Sequence, residues 1–402
     1  MSTDPIDIVG IGADGWSGLS PAARSVVLGA EVVVGSERQL GLLPDEVPAR
    51  RVRLPSPLRA GLPGLLAEHR TARLCVLASG DPMAHGIGVT IGDIAGPSRV
   101  RVVPHPSSIA LACARLGWPS DDVEVVNVGG RPVERLVRAL APGRRLVVLG
   151  GAGQEIGALL VRHGYGASRM VMLEELGGPA ETLTESTAAA WDAVPQSALH
   201  LFAVSCAVPA AGTALATVGG LPDTAFEHDG QLTKRDVRAA ALARLAPQPG
   251  ELLWDVGAGA GSIAIEWMRH HPSCRAIAVE RDPARAERIG RNAGTLGVPD
   301  LEVVLGPAPD ALAGLPGPAA VFVGGGVADP RILVAARQVL PPGGRLVAHA
   351  VTVEAEHLLA GLHREHGGEL SRLAVDQAEP LGRYTAWRRM RVVTQWTFVR
   401  LS

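Results

Sequence analysis

Short β-branched and aliphatic runs alternate with helical stretches along the whole chain. Ile6–Gly12, Glu31–Val34, Leu74–Ala78, Arg101–Val103, Val123–Val128, Leu146–Leu149, Arg169–Leu173 and Leu201–Val208 predict strands, each bounded by Gly, Pro or Asp. Several are apolar throughout, the pattern of strands covered on both faces in a parallel sheet. Past residue 212 the pattern restarts, with strands predicted at Glu251–Val256, Ala276–Glu280, Leu301–Leu305, Ala320–Val323 and Arg345–Val351. The tail, Ser371–Arg400, alternates polar and apolar positions and ends WRRMRVVTQWTFVRLS, which predicts antiparallel strands. The expected fold is α/β twice over, with domains at 1–210 and 211–402. If the first domain divides into two lobes, the break is expected at GWPSDD, residues 117–122. Leu201–Pro222 is uncharged, but Pro209, Gly212, Gly219 and Gly220 interrupt it and much of it is alanine. It reads as a buried strand and a linker, not a membrane span.

Composition narrows the classes. The chain has 402 residues, 47% hydrophobic and 19% charged, enough for packed cores and too apolar for disorder. The net charge is −2 without a basic run, which argues against a nucleic-acid partner. Of the 38 cationic side chains only Lys234 is a lysine. Arginine-favouring codon usage accounts for most of that bias, yet Lys234 marks a place suited to a compact ammonium. Cys75, Cys113, Cys206 and Cys274 form no CxxC pair and read as buried thiols of a reducing compartment. The start, MSTDPIDIVGIG, lacks the cationic and apolar regions of a signal peptide, so the expectation is cytoplasmic.

The strongest local signal is LLWDVGAGAGSIAIEWMR, residues 252–269. A strand ends in Asp255, then Gly257-x-Gly259-x-Gly261, then a helix opening at Ser262. Glycines let such a turn pass close under a ligand, and the helix N-terminus offers free N–H groups. The dinucleotide fingerprint GxGxxG would need a glycine where Ser262 stands. The next strand ends at Glu280, where an acid can take two ribose hydroxyls, and GPAPDAL, with Gly306 and Ala308, follows the third strand. A tight turn without a ligand is the plain alternative, and Asp255, Glu280 and Gly306 in order weigh against it. The set resembles the class I S-adenosylmethionine-dependent methyltransferases. With HDGQLTKRDVRA, RNAGTLGVP, VFVGGG, LPPGGRLVAHAVTVEAE and PLGRYTAWRRMRVVTQW, it resembles the C-terminal half of the bifunctional decarboxylating precorrin methyltransferases of cobalamin synthesis.

IDIVGIGADG contains Gly10-x-Gly12-x-x-Gly15, formally a dinucleotide fingerprint. The acid expected at the end of the second strand is missing, because Glu31 precedes Val32–Val34, and the helix after Gly15 begins late. LASGDPMAHGIG, PHPSSIALACARLGW and VMLEELGGPAETL instead resemble the tetrapyrrole methylase family over residues 1–208. In that family the SGDP loop and P-x-S-S turn contact the cofactor between two α/β lobes. The resemblance implies Gly10, Gly12, Gly80, Asp81, Pro82, Ser107 and Ser108 as cofactor-binding residues. Asp81 and Ser107 would equally serve as plain loop caps. The sequence departs from the family patterns at His85, Asn127–Arg131, Pro307 and His349.

The resemblance implies two S-adenosylmethionine sites, one per half, and methylation of precorrin-6B at C5 and C15. The C12 acetate would be decarboxylated, giving precorrin-8, with C5 handled by the first half and the rest by the second. Such chemistry rests on placement and electrostatics and needs no nucleophile–base constellation. The small-molecule tetrapyrrole carries many carboxylates, so Arg131 and Lys234, with Thr233, are candidates for gripping it. Thr233 with Asp236 also resembles a capping box. Glu266 is a candidate for facing the cofactor, or else an exposed or core-edge acid. His270-His271 and His363, Glu365 and His366 read as solvated helix ends, not a metal site. Trp387 and Trp396 are expected to pack the antiparallel edge. A homo-oligomer is expected by analogy. The rival readings are one active half only, a nicotinamide-dependent oxidoreductase using Gly10–Gly15, or a tetrapyrrole carrier.

Overall fold

Uninterrupted apolar runs become strands buried on both faces. The structure, a computed structural model, describes residues 5–209 and 214–401; residues 1–4 and the expected boundary at 210–211 lie outside them. The first sheet contains β1 (Ile6–Ile11), β2 (Val32–Gly35), β3 (Arg50–Arg53), β4 (Leu74–Ser79) and β5 (Val100–Val103). All pairings are parallel, in the order β3-β2-β4-β1-β5. Alternate residues feed two cores: Val9, Ile11, Val33 and Leu77 on one face, Ile8, Val34 and Val76 on the other. The sequence reading missed β3. Its segment, RRVR, lies at the sheet edge and offers only Val52 to a core.

The second sheet contains β6 (Val123–Asn127), β7 (Arg145–Leu149), β8 (Arg169–Glu174), β9 (Thr182–Thr187) and β10 (His200–Ser205), in the order β6-β7-β10-β8-β9. Here the parallel expectation holds only for β6 with β7; β10 runs antiparallel to both β7 and β8. Burial on both faces, not strand direction, wrote the apolar pattern of β8 and β10. Polar TLTEST forms the exposed edge strand β9, which no hydrophobic run announces. Ala112 of the helix Ser108–Leu116 lies in this sheet's core. The chain therefore passes between the sheets at 104–107, ahead of the expected 117–122.

The third sheet begins with β11 (Leu252–Val256), β12 (Arg275–Glu280), β13 (Glu302–Leu305), β14 (Ala320–Val323), β15 (Arg345–Ala350) and β16 (Glu369–Leu373). An antiparallel ribbon, β17 (Asp376–Leu381) with β18 (Tyr384–Arg389), precedes β19 (Val393–Val399). The order is β13-β12-β11-β14-β15-β19-β16, parallel through β15. β19 is antiparallel to both neighbours, as the tail predicts. Chain direction reverses its march at β11 and β14, so a crevice opens at their carboxyl ends, where open α/β sheets bind ligands.

The chain divides into two compact units, Met1–Val133 with Pro142–Gly212, and Glu134–Ala141 with Thr213–Ser402. The sequence reading did not foresee the excursion at 134–141. Gly297, at φ +83°, is required there, because a Cβ would stand 2.6 Å from the Arg138 nitrogen. Among the described residues no helix is long and apolar enough to cross a membrane. The uncharged stretch at 201–222 begins in β10, whose Leu201, Phe202, Ala203 and Val204 are buried.

The two tail tryptophans part company. Trp396 on β19 is fully buried and donates from Nε1 to the Gly367 carbonyl at 2.9 Å. Trp387 is 76% exposed on the β17–β18 ribbon, so it does not pack the edge as expected. Trp396→Ala is expected to cost about 3–5 kcal/mol of stability to denaturant. Trp387→Ala is expected to stay within about 0.5 kcal/mol of the parent. Equal costs would contradict these placements.

Candidate cofactor and substrate sites

In the second unit the site is built around the turn that follows β11. Gly257, Gly259 and Gly261 all sit at positive φ, +70°, +59° and +75°. A Cβ on Gly257 would stand 2.6 Å from the Gly325 Cα, and one on Gly261 would stand 2.7 Å from Ile289 Cγ2. The loops after β11 and β14 thus touch backbone to backbone, and Gly324 N–H donates to the Val256 carbonyl at 3.0 Å. Ser262, buried, opens the helix Ser262–His270 beneath the turn.

Two carboxylates face this turn. Asp255 is buried, and its Oδ2 accepts from Ala264 N–H at 3.0 Å. Its Oδ1 is buried without a partner. Burial pushes its carboxyl up to about 7; the Ala264 bond opposes that and the charge of Glu280 adds to it. Glu280 accepts from Gly259 N–H at 2.8 Å and from Asp282 N–H at 3.0 Å. Gly306 joins the same strand ends, donating to the Glu280 carbonyl at 2.9 Å, and Ala308 packs partly buried against the neighbouring core. Asp255, the three glycines, Ser262, Glu280 and Gly306 therefore converge as the sequence spacing implied. A bare backbone cradle, with an unpartnered buried carboxylate oxygen beside it, fits a small ligand carrying a cationic end and a diol.

Glu266 does not join them. It is buried, and both its oxygens are taken: Oε1 by Arg238 Nε at 2.6 Å and Leu221 N–H at 3.0 Å, Oε2 by Gly220 N–H at 2.5 Å. It is neither an exposed nor a core-edge acid. Thr233 does not cap the next helix. Lys234 is the N-cap of Arg235–Leu245, with no side-chain cap bond, and the Thr233 carbonyl accepts from Arg238 Nη1 at 2.5 Å. The Lys234 side chain is 39% exposed, with Nζ 3.5 Å from Asp223 Oδ2.

In the first unit, Gly10 and Gly12 end β1 where the SGDP and PHPSS loops arrive. A Cβ on Gly10 would stand 2.1 Å from the Gly80 carbonyl oxygen. One on Gly80, at φ +58°, would stand 3.2 Å from the Pro106 oxygen. Ser107 Oγ caps the helix Ser108–Leu116, accepting from Ala110 N–H at 3.1 Å. Asp81 accepts from Met83 N–H at 2.8 Å, and Pro82 is buried beneath that turn. A cavity of about 310 Å³ opens here, lined by Gly10, Asp14, Leu19, His105, Pro106 and Leu111 among others. Arg131 stands exposed at the turn after β6, which Asn127 closes by accepting from Gly129 N–H at 2.9 Å.

Sequence reasoning missed His105 and Asp14, whose Nε2 and Oδ1 lie 3.2 Å apart in that cavity. Both stood inside quoted motifs, and only the fold reveals that a chain reversal brings them together. His349, marked in the sequence only as a departure from the family pattern, donates from Nε2 to Gln395 Oε1 at 2.9 Å and meets Phe322 edge-on at 5.0 Å. Burial holds this imidazole down at about 4, against the opposing Gln395 bond. The histidine clusters at 270–271 and 363–366 bring together no metal-holding group; among the described residues no three His, Cys, Asp or Glu are so arranged.

The two buried groups act on stability with opposite sign. Folded Asp255 keeps its proton between the ordinary 3.8 and about 7, where the unfolded carboxyl has lost it, so its contribution falls as pH rises through that window. His349 is neutral in the fold between about 4 and 6.5, where the unfolded ring is protonated, so its contribution is lost as pH falls through that window. Asp255→Asn is therefore expected to gain stability relative to the parent as pH rises from 4 to 7, with no further gain above. Denaturant midpoints across that range measure it, and a difference independent of pH would refute it.

Residues 6–192 match the tetrapyrrole (corrin/porphyrin) methylases, and residues 224–400 match a precorrin methyltransferase domain. The chain is 43% identical over 398 residues to a precorrin-6Y C(5,15)-methyltransferase (decarboxylating) from a Sinorhizobium species, covering 98% of this chain and 96% of that relative. It is 45% identical over 401 residues to the protein of the same name from Mycobacterium tuberculosis strain CDC 1551, covering 98% of this chain and 100% of that one. A probable cobalt-precorrin-6B C(15)-methyltransferase (decarboxylating) from Pyrobaculum calidifontis is 37% identical over 175 residues, covering 41% of this chain and 88% of its own. Aligned end to end with such relatives and matched in both halves, the chain belongs to the precorrin-6Y C(5,15)-methyltransferase (decarboxylating) family.

Proposed function

We propose that the chain methylates precorrin-6B at C5 and C15 and decarboxylates its C12 acetate, giving precorrin-8, with one S-adenosylmethionine site in each unit. The observation that supports two sites is the pair of glycine-lined cradles, each at the carboxyl ends of parallel strands and each in its own unit. By the family resemblance the first unit serves C5, and the second serves C15 and the decarboxylation. When bound, the sulfonium supplies a methyl group that is already activated for transfer to an electron-rich ring carbon. The protein's task is then placement and charge.

In the second unit Asp255 Oδ1 is the free acceptor for the cofactor's cationic end, and Glu280 is the acid for its ribose. Glu280 now holds Gly259 N–H, so the same carboxylate orders the turn and faces the ligand. Gly257, Gly259, Gly261, Ser262, Gly306 and Ala308 form the walls. In the first unit Gly10, Gly12 and Gly80 form the floor, with Asp81, Pro82, Ser107 and Ser108 along the rim. Exposed Arg131 and half-exposed Lys234 are the cations offered to substrate carboxylates. Glu266 is assigned no chemical role, since both oxygens are engaged. The working context is a cytoplasmic homo-oligomer acting on a small tetrapyrrole, with neither nucleic acid nor membrane as partner.

Gly12→Val and Gly259→Val test the division of labour. A Cβ at Gly12 meets Asp14 Oδ1 at 2.6 Å and His105 Nε2 at 2.7 Å; one at Gly259 meets the Gln231 carbonyl oxygen at 3.0 Å. Each variant, incubated with precorrin-6B and labelled cofactor, is expected to lose a different methylation by mass spectrometry, and Gly259→Val also the loss of carbon dioxide. If folded Gly12→Val also lost C15 methylation and carbon dioxide release, independent sites would be the wrong reading.

A further inference from the structure

The segment Gly220–Lys234 runs ahead of the methyltransferase core, in which its Leu221 and Phe226 are buried, and polar contacts fix the stretches between and beyond them. The structure fastens it at three places. Arg238, fully buried, donates to the Leu221 carbonyl, to the Thr233 carbonyl at 2.5 Å and to Asp223 Oδ1 at 3.2 Å. Its Nε is held by Glu266, which also accepts the Gly220 and Leu221 amides. Asn292 accepts Glu227 N–H at 2.8 Å and donates to the Glu227 carbonyl at 3.0 Å. The same amide donates at 3.0 Å to the carbonyl of Ala260, inside the glycine turn. Asp229 accepts Arg285 Nε at 2.9 Å, lies 3.2 Å from Arg288 Nη1 and takes Gln231 N–H at 3.0 Å.

These fasteners share a target. They bring the Gln231 carbonyl to within 3.0 Å of where a Gly259 Cβ would stand. They are also costly to leave incomplete: a buried guanidinium or carboxylate that loses its partner strongly destabilises its surroundings. A pair used only to fill the core would be served as well by apolar side chains of similar volume. Here four of the contacts go to backbone atoms of one segment, which is how a chain is held at a fixed height.

We propose that Arg238, Glu266 and Asn292 are positioning residues that strap residues 220–234 across the glycine turn, so that this segment forms one wall of the second unit's cofactor cleft. The inference rests on the reading that this turn holds S-adenosylmethionine. It assigns Glu266 a positioning role, and it places Lys234 at the end of the strap, at the mouth of the cleft.

The sequence supplies its own probe. Lys234 is the single lysine, so a lysine-specific endoprotease cuts the full chain at one place, the strap's end. In the parent, S-adenosylhomocysteine is expected to slow that cleavage saturably, which reports the second unit alone. Arg238→Gln removes the fork without adding a lysine; Asp229→Ala removes a half-exposed fastener and leaves the core alone. Both are expected to raise cleavage about tenfold at temperatures where circular dichroism shows them folded. Both are also expected to shift the protection midpoint to about tenfold more S-adenosylhomocysteine, because only the strapped fraction binds. Variants that cut faster but keep the parent midpoint would show a merely structural role and overturn the proposal. Cleavage unchanged by S-adenosylhomocysteine, in a parent that binds it in both units by calorimetry, would overturn it too. Calorimetry showing the second unit does not bind at all would bring down the underlying reading along with it.

Discussion

A carboxylate cannot be buried alone, and the second unit answers that constraint with its own backbone. Isolated in a low-dielectric interior, an ionised acid is so costly that it either takes up a proton or gathers N–H donors. Asp255, Glu266 and Glu280 are all buried, and each is met by main-chain amides: Ala264, then Gly220 and Leu221, then Gly259 and Asp282. Each acid thereby fixes a stretch of main chain through its amides. The glycine turn is thin because its residues are Gly and Ala, and its shape is set by hydrogen bonds together with the packing of Ala258 and Ala260. Asp255, left with one unpartnered oxygen, is the place where the answer is incomplete, and there burial pushes the carboxyl up instead.

Much of this was legible in the sequence, for a physical reason. Parallel strands covered on both faces must be apolar throughout, so β1, β4, β11, β12 and β14 announce themselves. Glycines forced to positive φ cannot be replaced without strain, so GAGAG declares a turn by its residue types alone. The order of Asp255, Glu280 and Gly306 marks successive strand ends, and they do converge. Edge strands escape notice because they bury little. RRVR and TLTEST carry no apolar run, and each pairs through backbone atoms that every residue type possesses.

What the sequence withheld were contacts made across long separations. Glu266 lies one turn into the helix after the glycines, where a ligand-facing acid would also stand. Its true partner, Arg238, sits 28 positions earlier, and periodicity carries no record of that pairing. His105 and Asp14 are farther apart still and meet only because two loops cross the same cavity. Thr233 shows a local signal misleading in a different way: a capping-box pattern was present, but the helix begins one residue later and uses Thr233 for its carbonyl.

The position of β19 has a consequence for how the second unit comes into being. It lies between β15 and β16, and within the sheet β16 pairs with it alone. β16, ending at Leu373, precedes in the chain the strand that joins it to the sheet, which starts at Val393. Until β19 docks, β15 presents an open edge and β16 has no place in the sheet, so the last strand of the chain completes both pairings at once.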